Sequence, residues 1–203
     1  MISELISNYG TLIKQVLSDL VSVTKYMNIG IGIALMYGAV YLLYVVICKL
    51  LGKERKLTTG HAVAVFALLI YLTATLFIVF MSREPGQYEG VNLELWSSWG
   101  TTTLKRAMFI ENIIMFIPMG ILLPSAFKRL RNPFVCVFTC AVLSIFIELI
   151  QFVKGLGIAE LDDVVTNTAG GAIGWLIWGI FWVIGLIITR IFGKKEEEEK
   201  KKS

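Results

Sequence analysis

The chain has 203 residues, 56% of them hydrophobic and only 17% charged, with a formal net charge of +4. A mean hydropathy of +0.74 and apolar runs longer than a soluble core helix needs exclude an ordinary globular domain. The small positive charge gathers near the ends of those runs, which excludes a nucleic-acid footprint.

In lipid the backbone must satisfy its own hydrogen bonds, and the runs lack the alternation of barrel strands. The expected fold class is therefore all-α: a polytopic transmembrane helix bundle of about five spans with an N-terminal interfacial amphipathic helix. In residues 1–26, Ile2, Leu5, Ile6, Tyr9, Leu12, Ile13, Val16, Leu17 and Leu20 recur at helical spacing, with Glu4, Asn8, Lys14, Gln15 and Asp19 elsewhere around the wheel. This pattern predicts a helix lying on the membrane interface, the alternative being a helix packed on other protein. Glu4 is the first charge, so no cleaved signal is expected.

Five runs of spanning length follow: Met27 to Cys48, His61 to Met81, Ala107 to Phe127, Pro133 to Val153, and Val164 to Phe192. Residues 27–81 hold the first two spans, residues 82–192 the last three, and residues 193–203 a charged tail with no required fold. Cys48, Cys136 and Cys140 lie in or beside spans and read as free thiols. His61 and the tryptophans Trp96, Trp99, Trp175, Trp178 and Trp182 read as interfacial residues or lipid-facing bulk.

Lys49, Lys53, Arg55, Lys56, then Lys128, Arg129, Arg131, then Arg190, Lys194 and Lys195 fall on one side of a five-span chain. The opposite side mixes its basic residues with Glu84, Glu89, Glu94, Glu160, Asp162 and Asp163. The positive-inside rule then predicts an N-terminus outside and a C-terminus in the cytoplasm.

Polar residues interrupt the last three spans, where a buried carboxylate or amide is costly and marks a candidate site. At 1.5 Å per residue, Asn112 lies roughly 6–8 Å below the start of its span, Glu148 about 7 Å from the end of its span, and Asn167 about 5 Å in. These depths predict one layer near the outer boundary. Glu148 and Gln151 share a helix face with Ser144 and Cys140, and Asp163 and Asn167 share one with Gly170, Gly171 and Gly174. The glycines predict a face turned into the bundle. Pro118 removes the hydrogen bond to the Ile114 carbonyl and permits a kink near Gly120.

The stretch Glu111-Asn112-Ile113-Ile114-Met115-Phe116-Ile117-Pro118-Met119-Gly120, the Glu148-x-x-Gln151 pair, and Asp162-Asp163-Val164-Val165-Thr166-Asn167-Thr168-Ala169-Gly170 together resemble the VanZ-like family. The resemblance spans Val91 to Trp178 and implies a bacterial cell-envelope membrane protein of the kind linked to teicoplanin resistance. Many members carry an Arg before the aspartates, where this chain has only Lys154, and Asn-Leu-Ile-Pro-Phe where this chain reads Asn92-Leu93-Glu94-Leu95-Trp96.

The leading functional expectation is non-enzymatic. Asn112, Glu148, Gln151, Asp163, Asn167 and Arg106 would bind a ligand at the outer leaflet, with membrane lipids as partners and a lipid-linked cell-wall precursor or a glycopeptide as ligand. Arg106 is included because Glu148 needs a cation partner, and a purely structural Glu148–Arg106 pair is the plain alternative. For the amides it is interhelical hydrogen bonding, and for Asp162 and Asp163 helix capping. A second expectation is a membrane enzyme acting on a polyprenyl phosphate, phospholipid or cell-wall precursor, with Glu111, Glu148, Asp162 and Asp163 holding a divalent metal. A third is a small transporter or flippase. No cofactor and no nucleic-acid partner is expected, and no motif fixes the oligomeric state.

Overall fold

The computed structural model describes residues 2–22, 24–52, 59–81, 86, 90–97, 99 and 102–202. These form α1 (Ile2–Ser22), α2 (Thr24–Leu50), α3 (Thr59–Met81), α4 (Thr103–Ala126), α5 (Pro133–Val153) and α6 (Leu161–Lys202). Five helices are long and apolar enough to cross a membrane, over Met27–Leu50, Gly60–Phe80, Thr103–Ala126, Pro133–Val153 and Leu161–Ile191. The protein is a multi-pass membrane protein of all-α architecture.

Helix ends follow capping chemistry rather than the edges of the apolar runs. α4 starts at Thr103, a turn before the expected Ala107, because the Thr102 side chain accepts from the Lys105 N–H at 3.3 Å. α6 starts at Leu161 rather than Val164, and this puts Asp162 and Asp163 inside its first turn, where negative charge suits the helix dipole. α5 begins where the sequence predicts. Asn132 Oδ1 accepts from the N–H groups of Phe134 (3.0 Å) and Val135 (3.3 Å), and Pro133 occupies the first helical position.

α5 ends in a Schellman turn: Leu156 N–H donates to Gln151 C=O (2.8 Å) and Gly155 N–H to Phe152 C=O (3.1 Å), with Gly155 at φ +62. α6 continues beyond its apolar stretch through the charged tail, where no fold was required.

α4 is the centre of the bundle. Its Phe116, Met119, Leu123 and Ala126 pack with Ala64, Leu68 and Val79 of α3 and with Cys136, Cys140 and Ile147 of α5. The glycine face of α6 lies against α4 as expected. A Cβ at Gly170 would fall on the Ile113 carbonyl oxygen, one at Gly174 on that of Ile117, and one at Gly120 on that of Gly171. Lipid tails are as apolar as the side chains, so this backbone contact, and not hydrophobic burial, is what holds the helices together.

α2 packs on α3, where Gly30 meets the Ile70 backbone, and leaves most of its surface exposed. The three cysteines are free thiols, but they are buried within the bundle rather than facing lipid. His61 stands in the first turn of α3, with its Nδ1 2.9 Å from the Ala126 carbonyl that ends α4.

α1 keeps its predicted amphipathic pattern but divides its apolar side. Leu12 and Val16 are buried against Ala107, Ile110 and Ile114, so α1 docks on α4. Tyr9, Ile13, Leu17 and Val21 stay exposed on a neighbouring stripe, available to the membrane interface.

At the same end as α1, two loops join in a way no periodicity predicts. β1 (Val91–Asn92) pairs in parallel with β2 (Ala159–Glu160), with Val91 opposite Ala159 and Asn92 opposite Glu160. Gly86 N–H donates to Gly155 C=O (2.8 Å) and Ala159 N–H to Gly90 C=O (3.1 Å), which extends the join.

Candidate functional site

The halves of α3 to α6 nearer α1, with the end of α1 itself, line a cavity of about 520 Å³. Its walls are mostly apolar: Leu20 of α1; Ala74, Ile78 and Val79 of α3; Met108, Ile114, Met115 and Pro118 of α4; and Ile147 of α5. Into this space the chain brings Asp19, Glu111, Asn112, Glu148, Gln151, Asp163 and Asn167, together with Tyr71 and Thr75. A largely apolar cleft with a few convergent polar groups is the usual form of a binding site.

Five of the predicted ligand residues meet there: Asn112, Glu148, Gln151, Asp163 and Asn167. With the observed helix ends, Asn112, Glu148 and Asn167 lie about 14, 8 and 9 Å along their helices from the α1 end. Glu148 is 6% exposed, and its Oε2 accepts the Glu160 N–H at 3.1 Å, which ties α5 to the strand before α6. Gln151 donates from Nε2 to the Val79 carbonyl at 3.3 Å and so links α5 to α3. Asn167 is 1% exposed and donates from Nδ2 to Ser144 Oγ at 2.8 Å. The predicted stripe of Cys140, Ser144, Glu148 and Gln151 is buried along its whole length.

Two buried side-chain oxygens among the described residues have no hydrogen-bond partner, Glu111 Oε1 and Asn167 Oδ1. Buried acceptors are nearly always satisfied, so orphans lining a cavity are groups that a ligand or a water would complete. Glu111 also faces Asp19 within hydrogen-bonding reach, and this carboxyl pair joins α4 to α1.

Two predicted residues stand elsewhere. Arg106 does not border the cavity; its guanidinium lies 5.8 Å over the Trp99 ring, and Trp99 meets Phe109 edge-on at 5.1 Å. A cation over an aromatic face is a favourable placement. Asp162 is 2% exposed, and its Oδ1 accepts the Trp96 N–H at 2.6 Å, which pins a residue held at φ 67. Asp162 therefore fixes the loop before α4.

Of the carboxylates considered as a metal set, Glu111, Glu148 and Asp163 line the cavity and Asp162 does not. Asp162 turns to Trp96, and among the described residues no three His, Cys, Asp or Glu lie close enough to hold a metal.

Sequence reasoning passed over Asp19, Tyr71 and Thr75. Asp19 belongs to the polar face of an amphipathic helix, where a carboxylate is ordinary. Tyr71 donates its hydroxyl to the Met115 carbonyl, next to Ile114, whose carbonyl Pro118 deprives of a helical donor. A single tyrosine in an apolar run gives no such signal; Pro118 on the facing helix was the available hint.

The sequence pattern that defines the VanZ/LLP1 family matches residues 39–182. The match begins within α2, well before the segment that carries the resemblance. Protein VanZ from Enterococcus faecium is 32% identical over 119 residues, covering 56% of this chain and 71% of that protein. No solved structure matches the chain. With the central helices and every cavity residue but Asp19 and Leu20 inside the matched region, the chain belongs to the VanZ/LLP1 family.

Proposed function

We propose that the cavity holds the polar head of a membrane amphiphile, a lipid-linked or cell-wall-related ligand, at the outer face of a bacterial cell membrane. Binding there lowers the effect of glycopeptide antibiotics of the teicoplanin type. One observation carries the binding half of this reading: amides and carboxylates from separate spans meet in a single apolar-walled cavity with two unsatisfied buried acceptors. The resistance half rests on the family. An outward-facing cavity follows from the N-outside, C-cytoplasmic orientation, which Lys128, Arg129 and Arg131 support by lying between α4 and α5 at the end away from the cavity.

The test is replacement of Glu148 or Asn167 by Ala in a chain expressed in a teicoplanin-susceptible bacterium. Membrane accumulation and thermal unfolding confirm that each variant is folded. Resistance conferred by the unmodified chain is expected to be lost in both. Undiminished resistance in a folded Asn167→Ala variant would overturn the reading.

A further inference from the structure

The charged groups of the cavity are all of one sign. Asp19, Glu111, Glu148 and Asp163 bring carboxyl groups from α1, α4, α5 and α6, and among the described lining residues there is no Lys, Arg or His. The two buried atoms without a partner, Glu111 Oε1 and Asn167 Oδ1, are both acceptors. Asn167 is 1% exposed with its nitrogen committed to Ser144, so its oxygen is the group it can offer a ligand. Glu111 and Asp19 face each other within hydrogen-bonding reach, and carboxyl groups so close repel unless a shared proton or a cation lies between them.

These demands select among headgroups. A phosphate or carboxylate would add acceptors and negative charge to a site already rich in both. A hydroxyl supplies a single donor. A quaternary ammonium carries charge but no N–H. A primary ammonium has three donors, no acceptor and the complementary charge.

Resting on the reading of the cavity as a seat for an amphiphile's head, we propose that this head is a primary ammonium, held by Glu111, Asp19 and Asn167. The attached chain leaves past Leu20 and Met108. Those two apolar lining residues are 37% and 44% exposed and form the rim between α1 and α4.

The experiment is calorimetric titration of the full chain in phosphatidylcholine nanodiscs, with empty discs subtracted. The probes are decylammonium, decyltrimethylammonium, decanol and decanoate. Decylammonium is expected to bind at least about tenfold tighter than each of the others, the factor that follows from losing one charge-assisted hydrogen bond. The Asp19→Asn/Glu111→Gln double variant, which nearly keeps side-chain volume, is expected to weaken decylammonium by about tenfold or more. Glu94→Gln, on the exposed loop before α4, is expected to leave it unchanged. Should the double variant lose its unfolding transition, Glu111→Gln alone serves.

Repeating the titration in phosphatidylethanolamine discs separates the sources of the ammonium. Weaker apparent binding there assigns it to a lipid headgroup, and unchanged binding to an amine outside the bilayer lipids. Equal binding of decanol or decanoate would overturn the ammonium assignment while leaving an amphiphile site. Binding of no probe above empty discs would overturn both.

Discussion

Asn167 carries two opposed contributions. Its hydrogen bond to Ser144 joins α6 to α5, and such bonds in membranes average about 0.6 kcal/mol, while its orphan oxygen is a buried acceptor left unsatisfied. Asn167→Ala removes both, so its stability is expected to stay within about 1 kcal/mol of the parent in thermal unfolding. Lost function would then report on the site rather than on the fold. Asp162 is the contrasting case. With Asp162→Ala, the Trp96 N–H loses its acceptor, and a loss of about 1–3 kcal/mol is expected by the same measurement.

The cost of a carboxylate or an amide in a span made Asn112, Glu148, Gln151, Asp163 and Asn167 legible in the sequence. The placement of Arg106 over the Trp99 ring was not legible, because nothing in the sequence shows how the loop before α4 folds back on that helix. Asp19 was hidden among the ordinary charges of an amphipathic helix. Only the docking of Leu12 and Val16 on α4 turns it toward Glu111.

At the scale of elements, the contact of α4 with α6 is the part of the fold most sensitive to a single added carbon. Gly170→Ala and Gly174→Ala would each put a methyl group on a carbonyl oxygen of α4, forcing the helices apart. A marked drop in the unfolding midpoint is expected for both, of the size of an overpacked core, about 1–3 kcal/mol. Gly179→Ala, which meets nothing within 4 Å on the same helix, is expected to be neutral or stabilising by up to about 1 kcal/mol, because Ala is the better helix former. Thermal unfolding of the three variants side by side checks this contrast. The small-residue pattern foretold which face of α6 is buried. It did not foretell the partners, since Gly171 meets Cys140 of α5 while its neighbours meet α4. Helix starts were legible where a cap stood at the edge of the apolar run, as at Asn132-Pro133, and misplaced where the cap stood further out, as at Thr102.

At the scale of the molecule, the proposed orientation puts the loop before α4 outside and the turn between α4 and α5 in the cytoplasm. In a background where the buried Cys48 is replaced by Ser, Glu94→Cys is expected to react with a membrane-impermeant maleimide on intact cells. Lys128→Cys is expected to react only after permeabilisation, and the reverse pattern would invert the orientation. Composition and run length by themselves determined the number of spans and the all-α class, because in lipid an apolar run of sufficient length has little choice but to be a helix. Motifs in the last three spans determined the family. Only the tertiary structure decided that α1 walls the cavity, that Asp162 holds the loop before α4, and that β1 and β2 join two loops at the α1 end. The physical reason is the range of the interactions. Partition into lipid and helix formation act within one segment and are written in its sequence. The choice among acceptable partners for a polar group depends on which helices lie side by side, and that is fixed by packing between distant segments.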